Sequence, residues 1–145
     1  MTAVGAYERE SEALRPERAL AAVPEAAAML KAGRLGLAVQ ALRTHLRSHP
    51  RDLGARFHLA DALSRANRPQ PALAEADALV TLAPGNPVFR AQKAAALEAV
   101  EDYEGAVTLW REIVREPAVP AECWLRFGHV LRAMGATEEA IDAYR

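Results

Sequence analysis

The sequence has few aromatic residues, one cysteine and no excess of either charge, and each shortage excludes a class of protein. Aromatic residues make up 6% of the 145 positions, although apolar residues make up 51%. Much of that apolar content is alanine, which favours closely packed helices over a sheet with a bulky core. The formal net charge of −1 gives no global field to attract nucleic acid or an anionic membrane. A single cysteine excludes an internal disulfide.

Long apolar runs and targeting segments are missing as well. No stretch approaches the roughly 18 apolar residues that a membrane-spanning helix needs. Residues 1–10 lack the basic and apolar blocks of a signal peptide. We therefore expect no nucleic-acid partner, no membrane partner and, by default, a cytoplasmic location.

Motifs for catalysis are absent from the sequence. It has no glycine-rich phosphate loop, no nucleophile elbow and no metal-ligand cluster. His45 and His49 have a spacing that could place two imidazoles on one helix face, but no third ligand lies near, and we interpret them as a solvated face. Cys123 adjoins Trp124 and is expected to pack. The sequence predicts that this chain is not an enzyme and uses no metal or cofactor.

An internal repeat determines the fold prediction. Related helical segments begin at alanines 34 residues apart, and a turn position lies five residues before each of them. The alanines are Ala38, Ala72, Ala106 and Ala140, and the turn positions are Gly33, Asn67, Glu101 and Gly135. Pro50 and Pro84 follow the first two alanines by twelve residues and should end those helices. Several features that share one period indicate a repeat protein.

The fourth copy carries the clearest motif, with Trp124, Phe127 and Gly128 followed by Ala140 and Tyr144. This spacing resembles the signature of the tetratricopeptide repeat (TPR), W-x2-L-G-x2-Y followed by A-x3-F. The resemblance covers about 125 of the 145 residues. It implies an all-α, right-handed α-solenoid of about four helix-turn-helix repeats, the last one truncated, with an N-terminal lead-in helix.

The period also predicts boundaries and packing. We assign residues 1–18 to a partly helical lead-in and 19–145 to the repeat array, with repeats 19–52, 53–86, 87–120 and 121–145. Small residues should let the two helices of each repeat approach closely. They are Ala26, Ala60, Ala94 and Gly128 on the first helices, facing the four periodic alanines. Arg56 and Arg90 replace expected apolar residues, and we expect their charged ends to reach water.

The resemblance implies a binding surface, because the first helices of TPR arrays line a concave groove in which ligands usually dock. The groove positions that we select combine an aromatic anchor with several cations. They are Phe57, His58, Asp61, Arg65, Gln92, Glu98, Leu125, Arg126, His129 and Arg132. Such a mixture suits a protein or peptide partner. The sequence thus predicts a non-catalytic interaction scaffold, although each position alone could be an ordinary solvated residue.

A further resemblance concerns the last 25 residues or so. The segment from Trp124 to Gly135, continued by Ala140 to Arg145, is similar to the repeats that precede the catalytic domain in bacterial TPR–sulfotransferase fusion proteins. It implies that the chain is part of a longer polypeptide, as an accessory region of an enzyme. A free-standing adaptor or assembly factor is the alternative. Ile141 and Tyr144 are expected to be uncovered, so self-association through this C-terminal edge is also predicted.

Overall fold

The computed structural model describes residues 23–145, and within them every regular element is an α-helix. The predicted lead-in of 1–18 and the start of the first repeat lie outside this range. The helices are α1 (Pro24–Lys31), α2 (Leu35–Ser48), α3 (Leu53–Arg65), α4 (Pro69–Leu82), α5 (Pro87–Ala99), α6 (Tyr103–Ile113), α7 (Ala121–Ala133) and α8 (Thr137–Tyr144). The all-α prediction is confirmed. The chain divides into two compact units at Glu75 and Ala76, within α4.

The turns between the paired helices repeat one backbone conformation. Residues Gly33, Asn67, Glu101 and Gly135 all have positive φ, from 59° to 82°. At the first turn the amide of Arg34 donates to the carbonyl of Met29, and that of Gly33 donates to Leu30. This is the Schellman arrangement, which satisfies carbonyls at a helix end. The equivalent bonds recur at the other three turns, so the expected left-handed turns are confirmed.

Helix ends follow the local chemistry of the sequence. Asp52, Asn86 and Asp102 accept hydrogen bonds from amides of the first turns of α3, α5 and α6, at 2.9 to 3.3 Å, and so cap these helices. Helices α2 and α4 end two residues before Pro50 and Pro84, as predicted.

In the first unit, α1, α2 and α3 pack around an aliphatic core. Leu42 and Leu63 are fully buried, and so are the small residues Ala26 and Ala38. Arg56 corrects one expectation, because its guanidinium does not extend into water. It donates to Glu75 at 2.8 Å and to the carbonyl of Pro50 at 3.1 Å, and only 19% of its side chain is exposed.

In the second unit, α5 packs on α6, α6 on α7, and α7 on α8. Phe89 and Trp110 are its largest buried side chains, each 1% exposed. Ala94 and Ala106 are fully buried, which allows the close approach of α5 and α6 that the sequence predicts. Arg90, like Arg56, is paired rather than solvated: it contacts Glu116 at 3.3 Å with 15% of its side chain exposed.

Candidate partner-binding surface

Four of the predicted groove residues lie on α3, in the first unit. Asp61 and Arg65 are about half exposed and form a loose ion pair at 3.9 Å, which contributes little to stability. Phe57 is half-buried, and its ring meets the His58 ring edge-on at a centroid distance of 5.5 Å. His58 is only 9% exposed. Phe57, Asp61 and Arg65 are therefore partly accessible on the surface of α3, whereas His58 belongs mainly to the core.

The other six residues lie in the second unit, and two of them are in contact. The Glu98 carboxylate on α5 accepts hydrogen bonds from the Trp110 indole at 3.0 Å and from the Arg126 guanidinium at 3.3 Å. Arg126 also lies over the Trp110 ring, 5.7 Å from its centroid, a cation–π geometry. Glu98 thus joins α5, α6 and α7, while Gln92 lies half-buried on α5.

Trp110 is the participant that the groove prediction missed. A buried indole N–H needs a hydrogen-bond acceptor. This requirement could have indicated from the sequence that Trp110 takes a neighbouring polar side chain as its partner. Glu98 supplies that acceptor, so its first role is in packing. Arg126 keeps 41% of its side chain exposed, but the network already occupies part of its hydrogen-bonding capacity.

Leu125, His129 and Arg132 form an exposed row on α7, which we name the α7 strip. Their spacing of four and three residues places them on one helix face. Leu125 is 49% exposed, and His129 Nδ1 shares a hydrogen bond with the Tyr144 hydroxyl at 3.1 Å. Arg132 is exposed and makes no ion pair within residues 23–145. The strip therefore combines an exposed apolar side chain with a cation that has no ion-pair partner in the described part of the chain.

Cys123 lies near the start of α7 and is a free thiol. Burial raises the pKa of this thiol, the neighbouring Glu122 carboxylate raises it further, and Arg126 opposes the shift. A raised pKa lowers the thiolate fraction at neutral pH. The half-buried thiol therefore lacks the environment of a reactive cysteine, and its packing stays a prediction.

Across residues 23–145, no group of three His, Cys, Asp or Glu side chains could hold a metal ion. The same part of the chain contains no helix long and apolar enough to cross a bilayer.

Comparison with solved structures finds several similar folds. A crystal structure of MamA superposes with a TM-score of 0.76 at 18% identity, over 82% of this chain and 70% of that one. MamA from Desulfovibrio magneticus RS-1 gives 0.79 at 17% identity, over 90% and 72%. The first TPR domain of human RPAP3 gives 0.72 at 17% identity, over 86% and 98%. The fold is of the TPR type.

These likenesses establish the fold alone, because the identities are low. No protein-family model matches the chain, and no curated protein does so. The predicted all-α TPR fold is confirmed, whereas the domain boundaries and the groove residues stay predictions.

Proposed function

We propose that this chain is a non-catalytic scaffold that binds a protein or peptide segment through the first helices of its repeats. The observation that carries the proposal is the α7 strip, where the half-exposed Leu125 lies on the same helix face as the unpaired cation Arg132, two turns further along α7. An isolated exposed leucine needs no explanation. An apolar side chain and a cation in one row on a first helix, however, form the kind of surface that peptide-binding repeats use.

The chemistry of the strip selects a class of ligand. Leu125 favours an aliphatic or aromatic side chain, since burying it removes apolar surface from water. Arg132 favours a carboxylate, which its planar guanidinium can bind through two hydrogen bonds. We therefore expect a segment in which an apolar residue lies close to an acidic one. On α3, in the other unit, the half-buried Phe57 and the half-exposed Arg65 form a separate candidate contact, which is tested independently of the α7 strip.

The structure changes the choice of test residue. Arg126→Glu would place a carboxylate beside Glu98 and disturb the Trp110 contact, so a loss of binding could reflect lost packing. Arg132 avoids this problem because it pairs with nothing in the described residues. Arg132→Glu therefore reverses a charge on the strip without breaking an internal ion pair.

The test is a selection from a random peptide library displayed on phage, followed by fluorescence anisotropy with the enriched peptides. We expect enrichment of segments that carry both apolar and acidic residues. Leu125→Ala and Arg132→Glu should each weaken binding at least about tenfold, equivalent to about 1.4 kcal/mol. Phe57→Ala tests the contribution of α3 in the same assay.

Arg47→Glu is the matched control. It makes the same charge change at an exposed residue on α2, a second helix, and should leave the affinity unchanged. If Leu125→Ala and Arg132→Glu bind the selected peptides as tightly as the unaltered chain, the α7 strip is not the binding surface. If no peptide is enriched, this chain does not bind peptides in this way.

Other predictions rest on the sequence alone. The resemblance to repeats of sulfotransferase fusion proteins finds no counterpart among the solved structures named above, and no observation of the structure favours it. The cytoplasmic location and the absence of a nucleic-acid partner also stay predictions.

A further inference from the structure

The Glu98 carboxylate lies next to α7 and is held there by a buried partner. Its Oε2 atom accepts a hydrogen bond from the Trp110 indole at 3.0 Å and another from Arg126 Nη2 at 3.3 Å. Trp110 is only 1% exposed, and the Glu98 side chain is 20% exposed. Because turning Glu98 away would leave the buried indole N–H without an acceptor, the carboxylate stays beside Arg126.

The Arg126 guanidinium is only partly engaged by this contact. Its one hydrogen bond within residues 23–145, at 3.3 Å, is longer than the usual N–H···O distance of about 2.7–2.9 Å in a charged pair. Its Nε atom is buried without an acceptor, whereas Nη1 is accessible and donates to nothing in the same residues. The side chain is 41% exposed. Arg126 therefore retains donors that a further carboxylate can use.

Arg126 lies next to the α7 strip. It precedes His129 by three residues, a spacing that makes the two side chains neighbours on the helix surface. Arg126 and Arg132 are six residues apart, which is about 9 Å along the helix axis. Two acidic residues of one short segment can span this distance. The two arginines differ in one respect: Arg132 has no ion-pair partner in the described residues, whereas Arg126 is paired with Glu98.

We infer that Glu98 determines the selectivity of the α7 strip by keeping Arg126 as an internal counter-ion. Glu98 repels a partner carboxylate that approaches Arg126, and this repulsion favours segments with one acidic residue over segments with several. The inference rests on the proposed function, because it concerns how the same strip chooses among acidic segments. In a purely structural role, Glu98 would satisfy the Trp110 indole and have no effect on ligand choice.

A second phage selection, with Glu98→Gln, tests this selectivity. The amide oxygen of glutamine can still accept from the Trp110 indole, so the substitution removes the charge and keeps an acceptor. We expect the peptides enriched by Glu98→Gln to carry more acidic residues than those enriched by the unaltered chain. Urea denaturation checks that the variant is folded.

Fluorescence anisotropy measures the size of the effect. The probe is an enriched peptide with two acidic residues, each replaced in turn by its amide. In the unaltered chain one of the two replacements should leave the affinity unchanged, because only Arg132 is available. In Glu98→Gln both replacements should weaken binding, each at least about threefold, as expected for a partly exposed ion pair. High salt should reduce both losses.

Two further variants show whether Arg126 binds the second acidic residue. In the double variant Glu98→Gln/Arg126→Gln, one of the two replacements should again have no effect, because the second cation is gone. Glu122→Gln makes the same charge change on α7, four residues before Arg126, and breaks no ion pair within residues 23–145. It should behave like the unaltered chain.

The inference is wrong if Glu98→Gln enriches no additional acidic residues, if Glu122→Gln has the same effect, or if the effect persists without Arg126. Failure of the proposed function gives a different result. If the unaltered chain enriches nothing while Glu98→Gln enriches peptides with paired acidic residues, the unaltered chain does not bind peptides, but the role of Glu98 in excluding them is supported. If neither chain enriches any peptide, both proposals fail.

Discussion

Gly128 lies directly against the ring of Tyr144. A Cβ atom added at position 128 would lie 2.5 Å from Tyr144 Cε1 and 2.8 Å from Cδ1. Real Cβ contacts are not this short, so any larger residue must displace the ring. The ring is held by its hydroxyl, which shares a hydrogen bond with His129 at 3.1 Å. The position of the Tyr144 ring against α7 thus depends on the absence of a side chain at Gly128.

Gly128→Ala is therefore expected to destabilise the chain even though alanine is the better helix former. Alanine should gain about 1 kcal/mol from helix propensity, while overpacking typically costs about 1–3 kcal/mol. We expect a net loss of about 1 kcal/mol in the free energy of unfolding, measured by urea denaturation.

A double-mutant cycle separates these two effects. With Tyr144→Ala already present, Gly128→Ala should raise stability, because the obstructing ring is gone. Gly36→Ala on α2 is the control, since a Cβ there would meet nothing within 4 Å. A destabilising effect of Gly128→Ala that persists without the Tyr144 ring would contradict this explanation.

Glu101 adopts the backbone conformation that glycine occupies at two equivalent turns. Its φ is 63°, compared with 75° at Gly33 and 82° at Gly135. A left-handed conformation costs a residue with a Cβ about 1–2 kcal/mol. Part of this is offset by the greater freedom of glycine in the unfolded chain. Glu101→Gly should therefore raise the free energy of unfolding by about 0.5–1 kcal/mol.

Two variants calibrate the Glu101 result. Asn67→Gly should stabilise less, because asparagine tolerates this conformation better than glutamate does. Gly135→Ala should destabilise by about 1 kcal/mol. Thermal denaturation of the three variants gives the order directly. If Glu101→Gly lowers the melting temperature, an interaction of the Glu101 side chain outweighs the backbone strain.

The fold could be predicted because its causes are local and periodic. The regular spacing of Ala38, Ala72 and the later alanines indicates close packing of helices. The glycine at position 135 indicates a turn in which one residue has a positive φ. Neither depends on knowing which distant side chains meet. The low identity to MamA and to the RPAP3 domain, 17–18%, agrees with this, because the same fold forms with few identical residues.

The candidate surface was less predictable because it depends on pairing between helices. Helical position alone suggests that Glu98 and Arg126 both face a ligand. In the structure they contact each other directly, and both also contact the buried Trp110. Arg56 shows the same limitation, since its partner Glu75 lies 19 residues away. Position on a repeat predicts a face, but not whether a charge on that face is already neutralised.

Removal of the Glu98 carboxylate should affect packing. Glu98→Ala leaves the buried Trp110 indole without its acceptor and Arg126 without its anion, at an expected cost of about 1–3 kcal/mol. Glu98→Gln keeps an amide oxygen as acceptor and should cost less. Urea denaturation monitored by tryptophan fluorescence, in a Trp124→Phe background, isolates the signal of Trp110. Equal stability of Glu98→Ala and the parent would show that the network contributes nothing.

The thiol of Cys123 should react slowly with iodoacetamide near neutral pH. Burial is the main cause that raises its pKa, with Glu122 adding to it and Arg126 opposing it, so the thiolate fraction is smaller than that of an ordinary cysteine at the same pH. Glu122→Gln removes one raising influence and should speed alkylation at pH 8, whereas Arg126→Gln should slow it. The midpoint of the pH–rate profile distinguishes these changes in pKa from changes in access, which would alter the rate without moving the midpoint. A midpoint below that of free cysteine would contradict the raised pKa of Cys123.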